Sequence, residues 1–286
     1  MNLNFWLIQA FNGLSYGALL FLLGSGLSLI FGVMRIVNLA HGSYFLLGGY
    51  VALTVIWTTG SWALSIPIAA LSVAVVGLLM ERLFLRPLGF DPLRQVLLTV
   101  GFAFLFQQAA LDIWTGNNFD INPPDALTKS VVVGGLYLPL YRVFMIALAV
   151  AIGIVLWLVM EKTRMGAMVR ATVDDAQMAR GVGIDTSRIS MFIFALGAFL
   201  AALGGVIGGA FLGIYPGLDF EILPLAFAVV IIGGMGSLGG AAIGALLVGL
   251  ADNFGKALFP EISYFTLYAP MALILAVKPT GLFGRE

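Results

Sequence analysis

The chain reads as an all-α polytopic membrane helix bundle of about eight spans, some of them broken or re-entrant. Three observations lead there. Of 286 residues, 61% are apolar and only 10% are charged, a balance that no soluble domain of this size could present to water. The few charges fall into short gaps between long uncharged runs, each near the roughly 20 apolar residues that a helix needs to cross hydrocarbon. Glycine is abundant, at 36 residues, which suits close helix packing and interrupted helices in lipid.

In chain order the expected spans are Phe5–Ile30, Ser43–Thr59, Trp62–Met80, Gln95–Trp114, Tyr137–Met160, Ile189–Gly213, Ile222–Asn253 and Ile262–Val277. Met1-Asn2-Leu3-Asn4 lacks the positive charge of a cleavable signal, so the first run is expected to be a retained span. The gap at 81–94 carries Arg82, Arg86 and Arg94, and the gap at 161–188 carries Lys162, Arg164, Arg170, Arg180 and Arg188. Basic loops stay in the cytoplasm, which places both gaps and Arg35 inside and the N-terminus outside. Segments 115–136 and 214–221, richer in acids than bases, fall outside.

The run Ile222–Asn253 is too long for one upright helix and too short for two full ones. Gly233-Gly234-Met235-Gly236-Ser237-Leu238-Gly239-Gly240 interrupts it, so two partial helices are expected to meet at a break within the membrane. As a single crossing the run would put Lys256 inside but Lys278 and Arg285 outside. The break lets the last basic residues return to the cytoplasm.

Composition also excludes. There is no cysteine and one histidine, so a thiolate or histidine-built metal site is ruled out or disfavoured, and no metal or cofactor is expected. Zero net charge gives no footprint for nucleic acid. No nucleotide-binding motif, intramembrane carboxylate pair or metal-protease motif is present, so no catalytic residue is assigned.

Five constellations remain. In Arg35-Ile36-Val37-Asn38-Leu39-Ala40-His41-Gly42-Ser43, polar Asn38, His41 and Ser43 lie between two apolar runs, with Gly42 permitting an irregular backbone. They are either a helix break lining a conduit or a cytoplasmic turn with Ser43 as N-cap. The break residues Gly233, Gly234, Gly236, Ser237, Gly239 and Gly240 allow close approach of backbone or ligand, or serve tight helix packing. Between Met165 and Ile189, Met168, Ala171, Thr172, Asp175, Ala179 and Val182 recur at helical spacing, with Gly181 and Gly183 as stops. With five basic and four acidic residues over 161–188, this amphipathic segment suits docking of a soluble partner better than a lipid surface. Gln107 and Gln108 need partners inside the fourth span. Asp252 and Asn253 are expected at the inner interface beside Lys256.

Arg35-Ile36-Val37-Asn38-Leu39-Ala40-His41-Gly42, the break at 233–240 and Lys278-Pro279-Thr280-Gly281-Leu282-Phe283-Gly284 together resemble one family, as does the pattern from Gly166 through Arg170, Ala171, Asp175 and Ala179 to Ile184. These strings are similar to those of the membrane permeases of branched-chain amino acid ABC importers, the shorter, LivH type. The resemblance implies a type II importer fold in which residues 1–286 form one transmembrane permease domain in the bacterial inner membrane. It implies a second, related permease as heterodimer partner, two cytoplasmic ATPase subunits and a periplasmic substrate-binding protein. Arg170, Ala171, Asp175, Met178, Ala179, Gly181, Gly183 and Ile184 would then belong to the coupling loop at 161–188. Asn38, His41, Gly42, Ser43 and the break residues would belong to the translocation path. The alternatives are a permease of the same architecture for urea, amides or a sugar, and a stand-alone secondary transporter.

Overall fold

The computed structural model describes residues 3–89 and 91–284. Helix α1 (Leu3–Met34) leads through an extended link into α2 (His41–Thr59). Gly60, at φ 68°, closes α2, and the Ser61 hydroxyl accepts the Leu64 amide to open α3 (Trp62–Met80). A π-helical turn, Glu81–Leu85, and a 3-10 turn, Arg86–Leu88, prolong α3 beyond its expected end. Helix α4 (Pro92–Trp114) starts with Asp91 capping the Arg94 amide at 3.2 Å and proline at its first position.

The expectation of purely helical structure needs one correction. Strands β1 (Ser130–Val133) and β2 (Leu136–Pro139) form an antiparallel hairpin between α4 and α5. Gly134 and Gly135, at φ 57° and 83°, supply the two positive angles that a tight hairpin turn needs between Val133 and Leu136. The span expected from Tyr137 therefore begins at Leu140 as α5 (Leu140–Lys162).

Helices α6 (Arg164–Asp174) and α7 (Ala176–Gly181) follow, then α8 (Thr186–Leu212), α9 (Leu218–Gly233), α10 (Leu238–Leu258) and α11 (Ser263–Val277). Six helical segments among the described residues are long and apolar enough to cross a membrane: Leu3–Met34, Trp62–Leu88, Pro92–Trp114, Leu140–Lys162, Thr186–Leu212 and Leu238–Leu258. The expected eight spans are thus not reproduced as eight full crossings.

Helices α1 and α8 form the sheltered centre of the bundle, while α3, α4 and α5 turn much of their apolar surface outward, as suits contact with lipid. With lipid as apolar as the helices, van der Waals packing drives their association. Small residues allow that here. A Cβ on Gly48 would reach the Ala202 backbone, one on Gly17 the Ala245 carbonyl, and one on Gly26 the Gly197 carbonyl. A second apolar cluster, Leu29, Leu156, Met160, Val169, Ile189 and Ile193, ties α6 to α1, α5 and α8 at the cytoplasmic end.

The break at 233–240 lies at a different depth from the one expected. Gly236 sits against Gly32, two residues from the inner end of α1, and the Ser28 hydroxyl donates to the Ser237 carbonyl at 3.3 Å. From there α10 runs a full span: Gly249 packs on Gly13, and Phe254 meets Trp6 at the outer end of α1. Asp252 and Lys256, paired at 2.7 Å, consequently lie at the outer end and not at the inner interface. Helix α11 returns inward, and Lys278 with it. The physical reason is that α9 is only 16 residues long, about 24 Å, so it starts inside the bilayer and ends at its inner face.

Candidate functional site

Three features converge on function: a junction at mid-depth, a groove at the inner face and a helical element below it. The junction joins the starts of α2 and α9. His41 Nε2 lies 3.0 Å from the Leu23 carbonyl of α1, and its ring also lies beside Gly26, which abuts Gly197 of α8. Leu23 and Gly197 are each eleven residues from the cytoplasmic end of their helix, or about 16 Å in. That is about three turns in from the inner end of each helix, within the apolar stretch of both.

From this level α2 runs outward. Gly49 packs on Ile214, Thr54 accepts a 2.8 Å hydrogen bond from Trp114 at the outer end of α4, and Trp57 meets Phe119 edge-on. Helix α9 starts at the same level and runs inward. The Ser43 hydroxyl donates to Asp219 Oδ2 at 2.9 Å, and a Cβ on Gly42 would strike the Asp219 carbonyl. Two helices thus meet start to start inside the bundle.

Burial and capping both bear on the two readings of the 38–43 segment. Asn38, His41 and Ser43 are all buried. Ser43 is not the N-cap, because α2 begins at His41 after Ala40, which makes no side-chain cap. The Asn38 side chain instead holds the Ala40 amide at 3.1 Å, shaping the re-entrant link.

Asp219 is the residue that the sequence reading missed. Its neighbours placed it in an outer loop, yet it is 2% exposed. First-turn amides of α9 lie near its carboxylate, but Oδ1 completes no hydrogen bond. The signal was the spacing: Asp219 precedes Gly233 by fourteen residues, about 21 Å of helix, too little to span hydrocarbon.

The second feature is a groove of about 850 Å³ at the inner face, between α1, α5, α6 and the start of α10. Gly236, Ser237 and Gly239 line it, with Phe21 and Gly153 deeper and Arg35, Arg170 and Asp174 at the rim. Gly233, Gly234 and Gly240 do not serve as lining. Gly233 and Gly240 pack backbone to backbone, and Gly234 packs on Gly284. The structure therefore separates the two sets of expected path residues by the length of α9.

The closing segment is bound to this break. The Leu282 and Phe283 amides each donate at 2.9 Å, to the carbonyls of Ile232 and Gly233. These carbonyls end α9 and have no intrahelical partner, so the tail completes the helix terminus. Gly234 at φ 100° and Gly281 at φ 80° allow the two backbones to approach so closely.

The third feature is the cytoplasmic loop. The single amphipathic helix expected there is two helices broken at Asp175, whose carboxylate accepts the Gln177 and Met178 amides at 2.8 and 2.9 Å and so starts α7. Gly166 leaves no room for a Cβ against the Met160 carbonyl, which fixes the α5–α6 corner. Arg170 donates to that same carbonyl and lies 3.6 Å from Glu161. Ala179 is buried, the Ile184 amide returns to its carbonyl at 3.0 Å, and Gly183 turns at φ 88°. Ala171 is half-buried on α6, while Gly181 faces open space. On the opposite side Met178 and Val182 are 68% and 73% exposed, apolar side chains in a charged loop.

Of the two glutamines, Gln108 bonds Asp112 at 3.0 Å on the exposed side of α4, while Gln107 faces a shallow outer pocket with Asn118 and Tyr215.

A mainly helical multi-pass chain with two helices that start side by side inside the bundle and an inner groove walled by a cytoplasmic helix has the build of a membrane permease. Sequence comparison gives the family. Residues 9–275 match the family described as branched-chain amino acid transport system / permease component, and the chain belongs to it. It is 29% identical to BraD, a high-affinity branched-chain amino acid transport system permease protein of Pseudomonas aeruginosa, over 98% of this chain and 96% of the relative. It is 30% identical to LivH of Salmonella typhimurium over the same shares, and 27% identical to LivM of Escherichia coli over 91% of this chain and 67% of the relative. No solved structure matches the chain. The chain is a multi-pass transport component of the bacterial inner membrane, not a catalyst.

Proposed function

We propose that this chain is one of two related permeases of a type II ATP-driven importer that carries leucine, isoleucine, valine and similar apolar amino acids inward. Its likeness to both LivH and LivM supports a heterodimer of related permeases. Two ATPase subunits supply the energy from the cytoplasm, and a periplasmic binding protein delivers substrate.

The observation that carries this reading is the placement of α6 and α7. Ligand-driven motion needs a contact whose free energy differs between states. Helix α7 presents Met178 and Val182 outward while Ala179 faces the bundle. Helix α6, one residue away, forms a wall of the inner groove through Val169, Arg170 and Val173. A push on α7 is therefore transmitted to the groove without an intervening loop. Arg170, Ala171, Asp175, Met178, Ala179, Gly181, Gly183 and Ile184 make up this coupling element. Gly236, Ser237 and Gly239 form the inner exit, and Asn38, His41, Gly42 and Ser43 the mid-depth portion of the path.

The test is Met178→Asp in the complete complex reconstituted in vesicles. A carboxylate in an apolar docking contact costs several kcal/mol unless paired. Leucine uptake is expected to fall at least tenfold while the two permeases still co-purify. Uptake at the wild-type rate would remove α7 from the coupling contact. Competition by isoleucine and valine, but not by urea, acetamide or ribose, is expected to identify the substrate class.

A further inference from the structure

The junction of α2 and α9 has an unusual charge balance. Each helix start carries about half a positive charge from its aligned peptide dipoles. Both α2 (19 residues) and α9 (16 residues) begin without a side-chain cap of their own, at Ala40 and Gly217. Between them sits one carboxylate, that of Asp219, with one oxygen on Ser43 and the other completing no hydrogen bond. The Tyr50 hydroxyl, fully buried two turns further along α2, also completes none and lies within electrostatic reach of Asp219. Among the described residues no Lys or Arg forms an ion pair with Asp219.

Buried polar atoms without partners are uncommon because each costs about 1–3 kcal/mol. Asp219 Oδ1 and the Tyr50 hydroxyl, with Asn38 Nδ2 and His41 Nδ1, make four such atoms around the start of α2 and point to a ligand that arrives there. The sum of one negative and two half-positive charges is close to zero, which suits neither a simple cation nor a simple anion. It suits a molecule that is itself both.

We propose that Asp219, Ser43 and Tyr50, with the starts of α2 and α9, form a mid-bilayer recognition site for the zwitterionic head of the transported amino acid. The ammonium group takes Asp219 Oδ1 and the Tyr50 hydroxyl, and the carboxylate takes the amides at the helix starts. Leu223, whose side chain lies against Gly42, provides apolar surface for the amino acid's side chain. The site is shut in this structure, with Gly42 against the Asp219 backbone, and it opens when the two helix starts part. This assignment rests on the amino acid importer reading given above.

The experiment uses the reconstituted importer complex, with equilibrium binding of labelled leucine measured in the absence of the periplasmic protein. Competitors are 4-methylpentanoate, which lacks the ammonium group, and 3-methylbutylamine, which lacks the carboxylate. The wild-type complex is expected to prefer leucine to either by at least tenfold. Asp219→Asn is expected to weaken leucine at least tenfold and to erase the preference over 4-methylpentanoate, with assembly and melting temperature kept. Tyr50→Phe, which preserves the ring, is expected to weaken leucine several-fold in the same direction, and it carries the test should Asp219→Asn not assemble. Unchanged leucine binding in both variants would overturn the site. So would a loss of stability with the preference intact, which would reduce Asp219 to a tie between helices. Failure of the wild-type complex to transport leucine at all would instead strike the importer reading itself.

Discussion

Replacing Gly48 with alanine tests whether α2 truly lies backbone to backbone on α8. An added Cβ would stand 2.5 Å from the Ala202 Cα and 2.8 Å from its carbonyl carbon, and neither backbone atom can rotate away. Overpacking costs about 1–3 kcal/mol, and the rigid neighbour puts this site near the upper end. Against that, alanine gains about 1 kcal/mol over glycine in a helix interior. The net loss is about 2 kcal/mol, or roughly 3 °C in melting temperature for a chain of this size. Gly101 on α4 is the control, since a Cβ there would meet nothing within 4 Å. Gly101→Ala is expected to leave the melting temperature unchanged or raise it. Both are read by thermal unfolding in detergent, followed by tryptophan fluorescence. If Gly48→Ala melts with or above the parent protein, α2 and α8 are not packed as described, and the depth assigned to His41 loses its support.

Two further outcomes are expected. Trp114→Phe removes the 2.8 Å hydrogen bond to Thr54 while keeping a ring near Tyr50, and it should cost about 1 kcal/mol in the same unfolding assay. No measurable loss would mean that the outer ends of α2 and α4 are not tied there. Truncation before Thr280 strips the Ile232 and Gly233 carbonyls of their tail partners. Hydrogen exchange at amides 234–240 should then accelerate at least tenfold, and unaltered protection would show that the tail does not hold the break.

Much of the fold was legible because lipid imposes simple rules. The ends of α4 at Trp114 and of α2 at Thr59 and α3 at Met80 follow from apolar runs ending at glycine, polar or charged residues. The basic gaps at 81–94 and 161–188 adjoin the inner end of α3 and contain those of α4, α5 and α8. Depth was not legible. A glycine-rich break looks the same in sequence whether it lies at mid-depth or at the inner face, and Gly236 takes its place from a contact with Gly32, two hundred residues away. Likewise Asp219 follows Pro216-Gly217 as a loop acid would, and only its pairing with Ser43 reveals it inside the bilayer. The hairpin at 130–139 was masked by its apolar composition, because Val131-Val132-Val133 and Leu136-Tyr137-Leu138 read as part of the next span.

In the cytoplasmic loop, spacing marked the helical residues but not the break. Asp175 sits at a helical repeat position, yet its short side chain caps the next two amides more favourably than it continues α6. That break leaves α7 as a separate knob with Met178 at its tip.

The most direct measurement is accumulation of labelled leucine in vesicles that hold this chain with its permease partner, the ATPase subunits and the periplasmic binding protein. Uptake should require ATP on the ATPase side and should be absent from vesicles holding this chain alone. Sustained leucine uptake by the isolated chain, without nucleotide, would contradict a permease worked from the cytoplasm through α7.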